Sequence, residues 1–573
     1  MNSNKKVACP LDCYDACQAE IIDENIKGSK EHFTTNSKLC VNFAQLLKED
    51  YHQSPKFNNE DISLEESLEV LSAKLKDNDA SKTLFYEGSG NLGKMQAAVK
   101  NFFTQYGSTL TKGSLCDGGG GLGIEQGRGS IVNPPIQKLI DSDVIVVWGR
   151  NFSVTSSHMY NLVKDKTFIT IDPIKTDIAK KSDIHMQINP KTDYELALLL
   201  TRFANMQDIE DEEFLEEHSE GAEWFFDITR NRPVVSYEAT TGVSLALVNQ
   251  FFELIENKKV SFVVGLGVQK YFEGAQIMRC IDSLAAYLGV HKKQAGGVWY
   301  LSNSSHGYEN QFKVKSATKN KKVSVAQVDF SSYDLVFIQG ANPVVSAPNT
   351  KAVIEGLKNS FVVCFTTTYN DTCEYADLII PASSFLSKAD VRLSYGHEYK
   401  AISNAIENPK ENTISEYKLA SVLIEKFGFE ALKSEEEILD YYTNKTVEYE
   451  EFETFEFIEE VDVEPLYKHK NSTNFYLITA KSKNSLNSQF TIDNHVYLNE
   501  SSGFKNNDAV KISSSFGEAN FTVKLSEDIK SECAFFYAGN KKVNYLTPNK
   551  EDEESFSAMF QEVLIEIELS STL

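Results

Sequence analysis

Nine cysteines occur in this chain of 573 residues, and four of them lie within its first forty residues. Cys9, Cys13 and Cys17 recur at every fourth position, and Cys40 follows after a polar stretch. Four thiolates are what a [4Fe–4S] cluster requires. A close triplet can surround three corners of such a cluster while the more distant cysteine supplies the fourth. The spacing therefore predicts one [4Fe–4S] cluster on these four residues.

Two other uses of these cysteines compete with the cluster. Structural zinc sites pair their thiols in two separate knuckles, which a three-plus-one grouping fits poorly. Disulfides are typical of small secreted domains. This chain is long, its other five cysteines are scattered, and the residues before Cys9 leave no room for a secretion leader. The cluster is the favoured interpretation.

A second candidate thiol is Cys116, which stands just before the glycine run at 118–121. Glycines allow a backbone to come close to a bulky group, and a thiolate is a soft metal ligand. We expect Cys116 to lie in a glycine-rich loop facing a cofactor. The alternative is a structural cysteine, with Ser114 and Asp117 as neighbouring donors that could replace it.

Short apolar runs that end in glycine turns recur along the chain. Gly149-Arg-Asn151 and Gly340-Ala-Asn342 each follow such a run, and Gly88-Ser-Gly90 and Gly265-Leu-Gly267 follow two more. Doubly wound α/β sheets bind nucleotides at the ends of their strands, and a helix N-terminus after a glycine turn binds anions. The repetition predicts two related nucleotide-binding halves.

Taken together, these motifs resemble the molybdopterin oxidoreductases, which carry a bis-molybdopterin guanine dinucleotide (bis-MGD) cofactor. The resemblance rests on Cys-Pro-Leu-Asp-Cys at 9–13, on Cys116, on the paired glycine–asparagine turns and on the segment from Thr372 to Pro381. It extends over nearly the whole chain. It implies a multidomain α/β fold with a small N-terminal iron–sulfur domain, two doubly wound α/β domains and a C-terminal double-psi-type β-barrel.

The resemblance also implies roles for individual residues. Cys116 would bind molybdenum or tungsten, and His397 would be a catalytic group on the substrate side. Relatives usually have lysine, proline and glycine where this chain has Asn42, Phe152 and Lys191. The positions implied to bind the dinucleotides are Gly90, Asn91, Gly118, Gly149, Asn151, Asp172, Thr192, Asp193, Gly265, Gly267, Gly340, Asn342, Asp371, Thr372, Asp377, Thr479, Asn487 and Asn544.

Four domains are predicted. Residues 1–58 form the [4Fe–4S] domain, 59–115 and 330–465 a discontinuous α/β domain, 116–329 the second α/β domain, and 472–573 the barrel. Within them, an apolar periodicity predicts a helix over 61–76 with a capping box of Ser63 and Glu66. The acidic stretch at 434–465 is expected to be a linker or a solvated face.

The overall charge limits the partners. Lys and Arg number 57 and Asp and Glu 82, a formal charge of −25, which argues against nucleic acid or anionic lipid. No apolar run approaches the roughly 20 residues of a membrane-spanning helix. We therefore expect a cytoplasmic protein with no direct membrane insertion.

The predicted function is a two-electron redox reaction on a small-molecule substrate at a bis-MGD molybdenum or tungsten. Electrons would pass through the [4Fe–4S] cluster to an iron–sulfur or ferredoxin-type partner. Two alternatives remain open: a non-redox enzyme with the same cofactor, such as a hydratase, and a metal-free scaffold or electron-transfer subunit that keeps the fold.

Overall fold

The computed structural model describes residues 5–51, 53–314 and 320–570. Its N-terminal part is a small antiparallel sheet of Lys6–Ala8, Gln18–Ile22 and Asn25–Gly28. Because Ala8 pairs with Gln18, the cysteine-rich loop is the connection of a hairpin. The helix Val41–Leu46 begins directly after Cys40, which is its N-cap.

An eight-stranded sheet forms the first α/β layer, and its two faces carry separate apolar cores. The chain leaves this sheet after Thr109–Lys112 and returns at Lys322–Ser324, which pair in parallel. The strands, in spatial order, are Lys322–Ser324, Thr109–Lys112, Thr83–Glu87, Leu335–Gln339, Phe361–Thr366, Leu378–Pro381, Lys56–Phe57 and Glu60–Asp61. The helices are Leu64–Asp77, Ala97–Tyr106, Pro343–Ser346, Thr350–Leu357, Glu416–Phe427 and Glu435–Asn444.

A five-stranded parallel sheet forms the second α/β layer, and apolar cores again cover both of its faces. In spatial order its strands are Ile184–Met186, Thr167–Ile171, Val144–Trp148, Val260–Val264 and Gly297–Trp299. The helices are Gly118–Arg128, Ile136–Ile140, Phe152–Thr155, Ser157–Val163, Asp193–Met206, Glu212–His218, Ala222–Thr229, Val234–Thr241, Leu245–Ile255 and Gly274–Tyr287. Helices on both faces of parallel strands define a doubly wound fold.

The C-terminal part is a closed β-barrel, as predicted. Its interior is filled by alternating apolar side chains such as Val510, Ile512, Phe521 and Val523, all of them buried. Closure leaves no free strand edge in the barrel. Around the barrel the strands are Asn474–Ala480, Cys533–Tyr537, His495–Leu498, Glu518–Leu525, Ala509–Ser513 and Leu564–Leu569.

Smaller pieces lie beside these units. Two-residue strands pair Ser219–Glu220 with Phe455–Glu456 and Ser485–Leu486 with Gln489–Phe490. The antiparallel hairpin of Asp390–Leu393 and Lys400–Ser403 packs against the N-terminal sheet. Among the described residues, no helix has both the length and the apolar character needed to cross a membrane.

Two local predictions concern helices. The helix predicted at 61–76 spans Leu64–Asp77, and the capping box of Ser63 and Glu66 is confirmed. The acidic stretch expected to be a linker instead contains the helix Glu435–Asn444, which has its own capping box of Ser434 and Glu437. The linker interpretation was therefore wrong, because Ile438 and Tyr442 on this helix are buried, whereas the alternative of a solvated face fits the exposed Glu436 and Glu437.

The glycine run after Cys116 was expected to be a loop, and this was also wrong. It forms the first turns of the helix Gly118–Arg128. A Cβ atom at Gly123 would lie 2.3 Å from the carbonyl oxygen of Ala275, and one at Gly120 would lie 2.5 Å from the Tyr300 ring. These glycines serve close packing against the helix Gly274–Tyr287 and its surroundings.

Candidate cofactor-binding site

The carboxyl ends of the parallel strands in both sheets open onto one cavity of about 1180 Å³. The cysteine-rich loop and loops of the barrel complete its walls. This volume exceeds the roughly 300–1,000 Å³ of ordinary ligand pockets. Eight lysine or arginine and seven aspartate or glutamate side chains line it, so the cavity lacks the strong negative bias of the chain as a whole.

The predicted repeat of two nucleotide-binding halves has the same backbone geometry in both sheets. Gly149 and Gly340 follow equivalent strands with φ of 57° and 56°, in the left-handed region that favours glycine. Asn151 and Asn342, two residues further on, are each the N-cap of a four-residue helix. Because the two turns belong to different sheets, they reach the cavity from different walls.

Neighbouring glycines support each turn from the adjacent strand. Gly90 donates its N–H to the carbonyl oxygen of Gly340 at 2.7 Å, and Gly267 donates to that of Gly149 at 3.3 Å. A Cβ at Gly265 would lie 2.2 Å from the same Gly149 oxygen. No side chain fits between these backbones, so the turns present bare backbone to the cavity.

Two aspartates and an asparagine lie in the cavity beside the five-stranded sheet. Burial raises the pKa of Asp172 and of Asp193 to about 7, although Asp172 accepts a hydrogen bond from the Ile174 N–H and Asp193 one from the Trp148 indole. The buried Oδ1 of Asn151 has no hydrogen-bond partner among the described residues. A buried oxygen without a hydrogen-bond donor, like that of Asn151, is expected where a bound polar ligand supplies the donor. The same holds for buried carboxyl groups with few donors, like those of Asp172 and Asp193.

Cys9, Cys13, Cys17 and Cys40 all line the same end of the cavity, and none forms a disulfide. Among the described residues, no three of their sulfurs lie within 4.8 Å of one another. Ligands of a single tetrahedral zinc ion would be about 3.8 Å apart. The four thiols are therefore too far apart to bind a single zinc ion together in this arrangement.

A buried carboxylate–imidazole pair holds Cys17. The Nδ1 atom of His158 lies 3.0 Å from Asp15 Oδ2 and 3.3 Å from Cys17 Sγ, and its Nε2 donates to the Lys38 carbonyl oxygen at 3.0 Å. Burial lowers the pKa of His158, but the hydrogen bond and charge of Asp15 outweigh burial and leave it raised. This arrangement fixes the loop on the side of the five-stranded sheet.

The hairpin of Asp390–Leu393 and Lys400–Ser403 holds the same loop through its carbonyl groups. Arg392 Nη2 donates to the oxygen of Cys13 at 2.8 Å, and the Ser394 hydroxyl donates to that of Tyr14 at 2.7 Å. The next carbonyl oxygen, of Asp15, lies 2.8 Å from His397 Nε2. Three neighbouring side chains thus fasten three consecutive peptide groups of the loop.

The predicted catalytic role of His397 is wrong. Its ring is buried, bonds to Asp15 and lies 3.3 Å from the Thr34 hydroxyl, and it does not line the cavity. Burial lowers its pKa. The sequence showed a polar cluster around His397 but not that the cluster faces the back of the cysteine-rich loop.

Cys116 is half-buried and open to the cavity interior. Its N–H donates to Ser114 Oγ at 2.9 Å, and its carbonyl oxygen accepts from Gln269 Nε2 at 2.7 Å. Burial and the charge of Asp117 raise the pKa of the Cys116 thiol to about 12 in the absence of a metal. The backbone on both sides of the sulfur is fixed, and the sulfur itself faces the cavity.

Sequence reasoning missed several polar groups near Cys116. Lys270 and Lys481 line the cavity, and their charges oppose the rise in the Cys116 pKa. Asp12 accepts hydrogen bonds from the Tyr395 hydroxyl at 2.8 Å and from Asn487 at 3.3 Å. Lys270 could have been predicted to line the cavity, because it follows directly after the Gly265-Leu-Gly267 turn. Nothing in the sequence indicated that Asp12 contacts Tyr395.

Most positions predicted to bind the dinucleotides line the cavity, and five do not. The cavity-lining positions are Gly90, Asn91, Gly149, Asn151, Asp172, Asp193, Gly265, Gly267, Gly340, Asn342, Thr479, Asn487 and Asn544. Asp371 and Thr372 lie behind Asn342, which they orient through hydrogen bonds of 3.2 and 2.8 Å.

The other three positions are structural, which corrects their predicted role. Thr192 is fully buried and donates to the Asn189 carbonyl oxygen at 2.7 Å. Asp377 accepts from the Val362 N–H at 2.8 Å and so joins two strands. Gly118 begins a helix, and a Cβ there would lie 2.3 Å from the Ser557 hydroxyl.

Paired doubly wound sheets around one large cavity, closed by a barrel, define the class: a multidomain α/β protein with two nucleotide-binding folds. The family model Molybdopterin oxidoreductase matches residues 59–426. The chain belongs to this family, whose members carry a molybdenum or tungsten pterin cofactor and are oxidoreductases. The family expectation and the predicted fold class are thereby confirmed.

Individual relatives are distant. The chain is 26% identical over 493 residues to "Probable oxidoreductase YyaE" of Bacillus subtilis, covering 78% of this chain and 72% of that one. It is 25% identical over 337 residues to the F420-dependent formate dehydrogenase subunit alpha of Methanocaldococcus jannaschii, covering 53% and 50%. The acetylene hydratase of Pelobacter acetylenicus has the same fold, with a TM-score of 0.80 over 99% of this chain and 100% of that chain at 16% identity.

Proposed function

We propose that this protein is a bis-MGD oxidoreductase that catalyses a two-electron reaction on a small substrate and passes the electrons through one [4Fe–4S] cluster. The observation that carries the proposal is the shared cavity, where Cys116, the four clustered cysteines and both glycine–asparagine turns meet. A single nucleotide would need one such turn, whereas two dinucleotides need the pair. The division into a cluster domain, two α/β domains and a barrel is part of this proposal.

The residues present fit the cofactor. The turns at Gly149 and Gly340 bring backbone without side chains to the cavity, which allows a bulky group to approach closely. Asp172 and Asp193 would accept hydrogen bonds from a guanine base, and Asn151 Oδ1 is free to accept one. When bound, the group supplies a metal centre that exchanges two electrons.

The chain's own residues supply position and access. Ser114 and Gln269 hold the Cys116 backbone so that its sulfur can bind the metal. Cys9, Cys13, Cys17 and Cys40 would hold the iron–sulfur cluster at the other end of the same cavity. We infer an iron–sulfur or ferredoxin-type electron partner from this route.

The test is Cys116→Ala in the cofactor-loaded protein. We expect the loss of substrate turnover, because the metal loses its protein ligand, together with unchanged visible absorbance of the cluster. Metal and iron analysis of the wild-type protein should give one molybdenum or tungsten and four iron atoms per chain. Full activity of Cys116→Ala with a complete metal content would overturn the assignment.

The two alternatives predict other results. A metal-free scaffold would contain neither molybdenum nor tungsten after expression in a host that makes the cofactor. A non-redox enzyme would turn over its substrate without reducing or oxidising an external electron carrier. Cys280→Ala is the matched control for Cys116→Ala, since Cys280 is a fully buried core residue outside the cavity.

A further inference from the structure

Arg392 is a buried cation without a buried anion to match it. Arg392 is 3% exposed, and it forms no ion pair with any described residue. Its Nη2 atom donates to the carbonyl oxygens of Cys13 at 2.8 Å and Leu11 at 3.4 Å, while its buried Nε has no partner in the described part of the chain. Burying a charge without a counter-charge is costly.

The carboxylates around Arg392 are already engaged elsewhere. Asp15 pairs with His158 at 3.0 Å, and Asp12 accepts hydrogen bonds from Tyr395 and Asn487. Asp390, on the same strand, lies 3.6 Å from the ammonium group of Lys388. None of these three acids neutralises the guanidinium.

The clustered cysteines beside Arg392 are groups that can carry negative charge. Arg392 holds the carbonyl group of Cys13 itself, and its positive charge acts on the Cys9 thiol. The guanidinium also lies 4.8 Å from the centre of the Tyr395 ring, whose hydroxyl reaches Asp12 in the cavity. Arg392 therefore lies directly behind the cluster-binding loop, outside the cavity lining.

We propose that Arg392 is the counter-cation of the iron–sulfur cluster and raises its reduction potential. The inference rests on the proposed function, because it requires a cluster on Cys9, Cys13, Cys17 and Cys40. Net charge, hydrogen bonding and burial set the potential of such clusters. A positive charge in a poorly solvated site favours the state that has gained an electron. Arg392 would thus help the cluster to accept electrons from the cavity.

The test is an EPR-monitored redox titration of the full-length, cluster-loaded protein, with dithionite as the reductant. Arg392→Met removes the charge and keeps the length of the side chain, and we expect a lower midpoint potential than in the wild type. Arg392→Lys keeps the charge and should stay close to the wild type. The potential is measured without substrate, so it does not depend on turnover.

Arg279 provides a matched control. Its guanidinium also donates to two backbone carbonyls, of Glu456 and Phe457, its Nε is likewise unpartnered among the described residues, and it does not line the cavity. Arg279→Met should leave the midpoint potential unchanged. An equal shift in both methionine variants would mean a general loss of structure and would overturn the proposal.

The remaining outcomes are also decisive. If the Arg392→Met variant does not retain the cluster, the Arg392→Gln variant is measured instead. The proposal then requires a lower midpoint potential of the cluster in Arg392→Gln than in Arg392→Lys. Two results would contradict the proposal and leave Arg392 with only a structural role in holding the loop. One is an unchanged midpoint potential in every uncharged variant that retains the cluster. The other is loss of the cluster from Arg392→Lys as well. Absence of a four-iron cluster from the wild-type protein would instead refute the proposed function.

Discussion

At the scale of single residues, the site contains ionisable side chains that are buried without enough hydrogen-bond partners. Asp172 and Asp193 are buried with few donors, and the thiol of Cys116 lies in a closed cavity. Such groups cost stability until a ligand completes them. Asp172 stands at the end of a strand and Cys116 beside a glycine run, whereas the family resemblance indicated Asp193, which begins a helix.

The buried aspartates predict a pH dependence of the cofactor-free protein. Their pKa is about 7 in the fold, against 3.8 for an exposed carboxyl, so the folded state holds protons that the unfolded chain releases. Their favourable contribution is complete below about pH 3.8 and is lost as the pH rises through 7. We expect the free energy of unfolding, and with it the melting temperature, to fall as the pH rises from 3.8 to about 7, by roughly 1.4 kcal/mol per pH unit for each group.

The double variant Asp172→Asn and Asp193→Asn should flatten this fall, because amides do not ionise. Differential scanning fluorimetry across the pH range measures it. Asp165→Asn, at an exposed position, is the control. A melting curve of the double variant with the same pH slope as the wild type would contradict the argument.

At the scale of elements, sequence patterns predicted those structures that depend on interactions between residues close in sequence. The capping box of Ser63 and the strand ends at Gly149 and Gly340 follow from residue order over short distances. The barrel was implied by the family resemblance, because its closure pairs Asn474–Ala480 with the distant Leu564–Leu569. The contacts of Arg392 with Cys13 join residues 379 positions apart, and no local pattern announces them. The helical glycine run was mispredicted for the same reason, since its partner helix is distant in sequence.

The turn at Gly340 allows a sharp test of one element. A Cβ there would lie 2.5 Å from the carbonyl oxygen of Gly90, so Gly340→Ala must displace the neighbouring turn. We expect a lower melting temperature and a reduced content of pterin, measured by its fluorescence after oxidation. Gly428→Ala is the control, because Gly428 has a similar φ of 66° with open space around it. The control should cost only about 1 kcal/mol of backbone strain and keep its pterin.

At the scale of the whole molecule, Lys191 joins the five-stranded unit to the C-terminal region. Its side chain is 1% exposed, and its Nζ atom lies 2.7 Å from Glu562 Oε2 and 3.1 Å from Glu273 Oε2. Its φ is 58°, a conformation that suits glycine, so the ion pairs hold a strained backbone in place. Where relatives usually have glycine, this chain thus has a lysine whose ion pairs connect the five-stranded unit to the C-terminal region.

We expect Lys191→Met to destabilise the protein by about 3 kcal/mol, because it leaves two partly buried carboxylates without their cation. Thermal unfolding should show a midpoint several degrees lower. Lys511→Met removes an exposed pair with Glu518 and should cost at most about 1 kcal/mol. Equal midpoints for the two variants would show that Lys191 adds no more than a surface pair.

The discontinuous eight-stranded sheet has a consequence for how the protein is made. The cysteine-rich loop leaves the ribosome before the hairpin that fastens it, which ends at Ser403. At about 5–20 residues per second, translation of the intervening chain takes roughly 20 to 80 seconds. During that interval the loop lacks the hairpin, while the five-stranded unit, which is continuous in sequence, can fold. Under the proposed function, this order of synthesis would leave the loop accessible for insertion of the cluster before the hairpin fastens it.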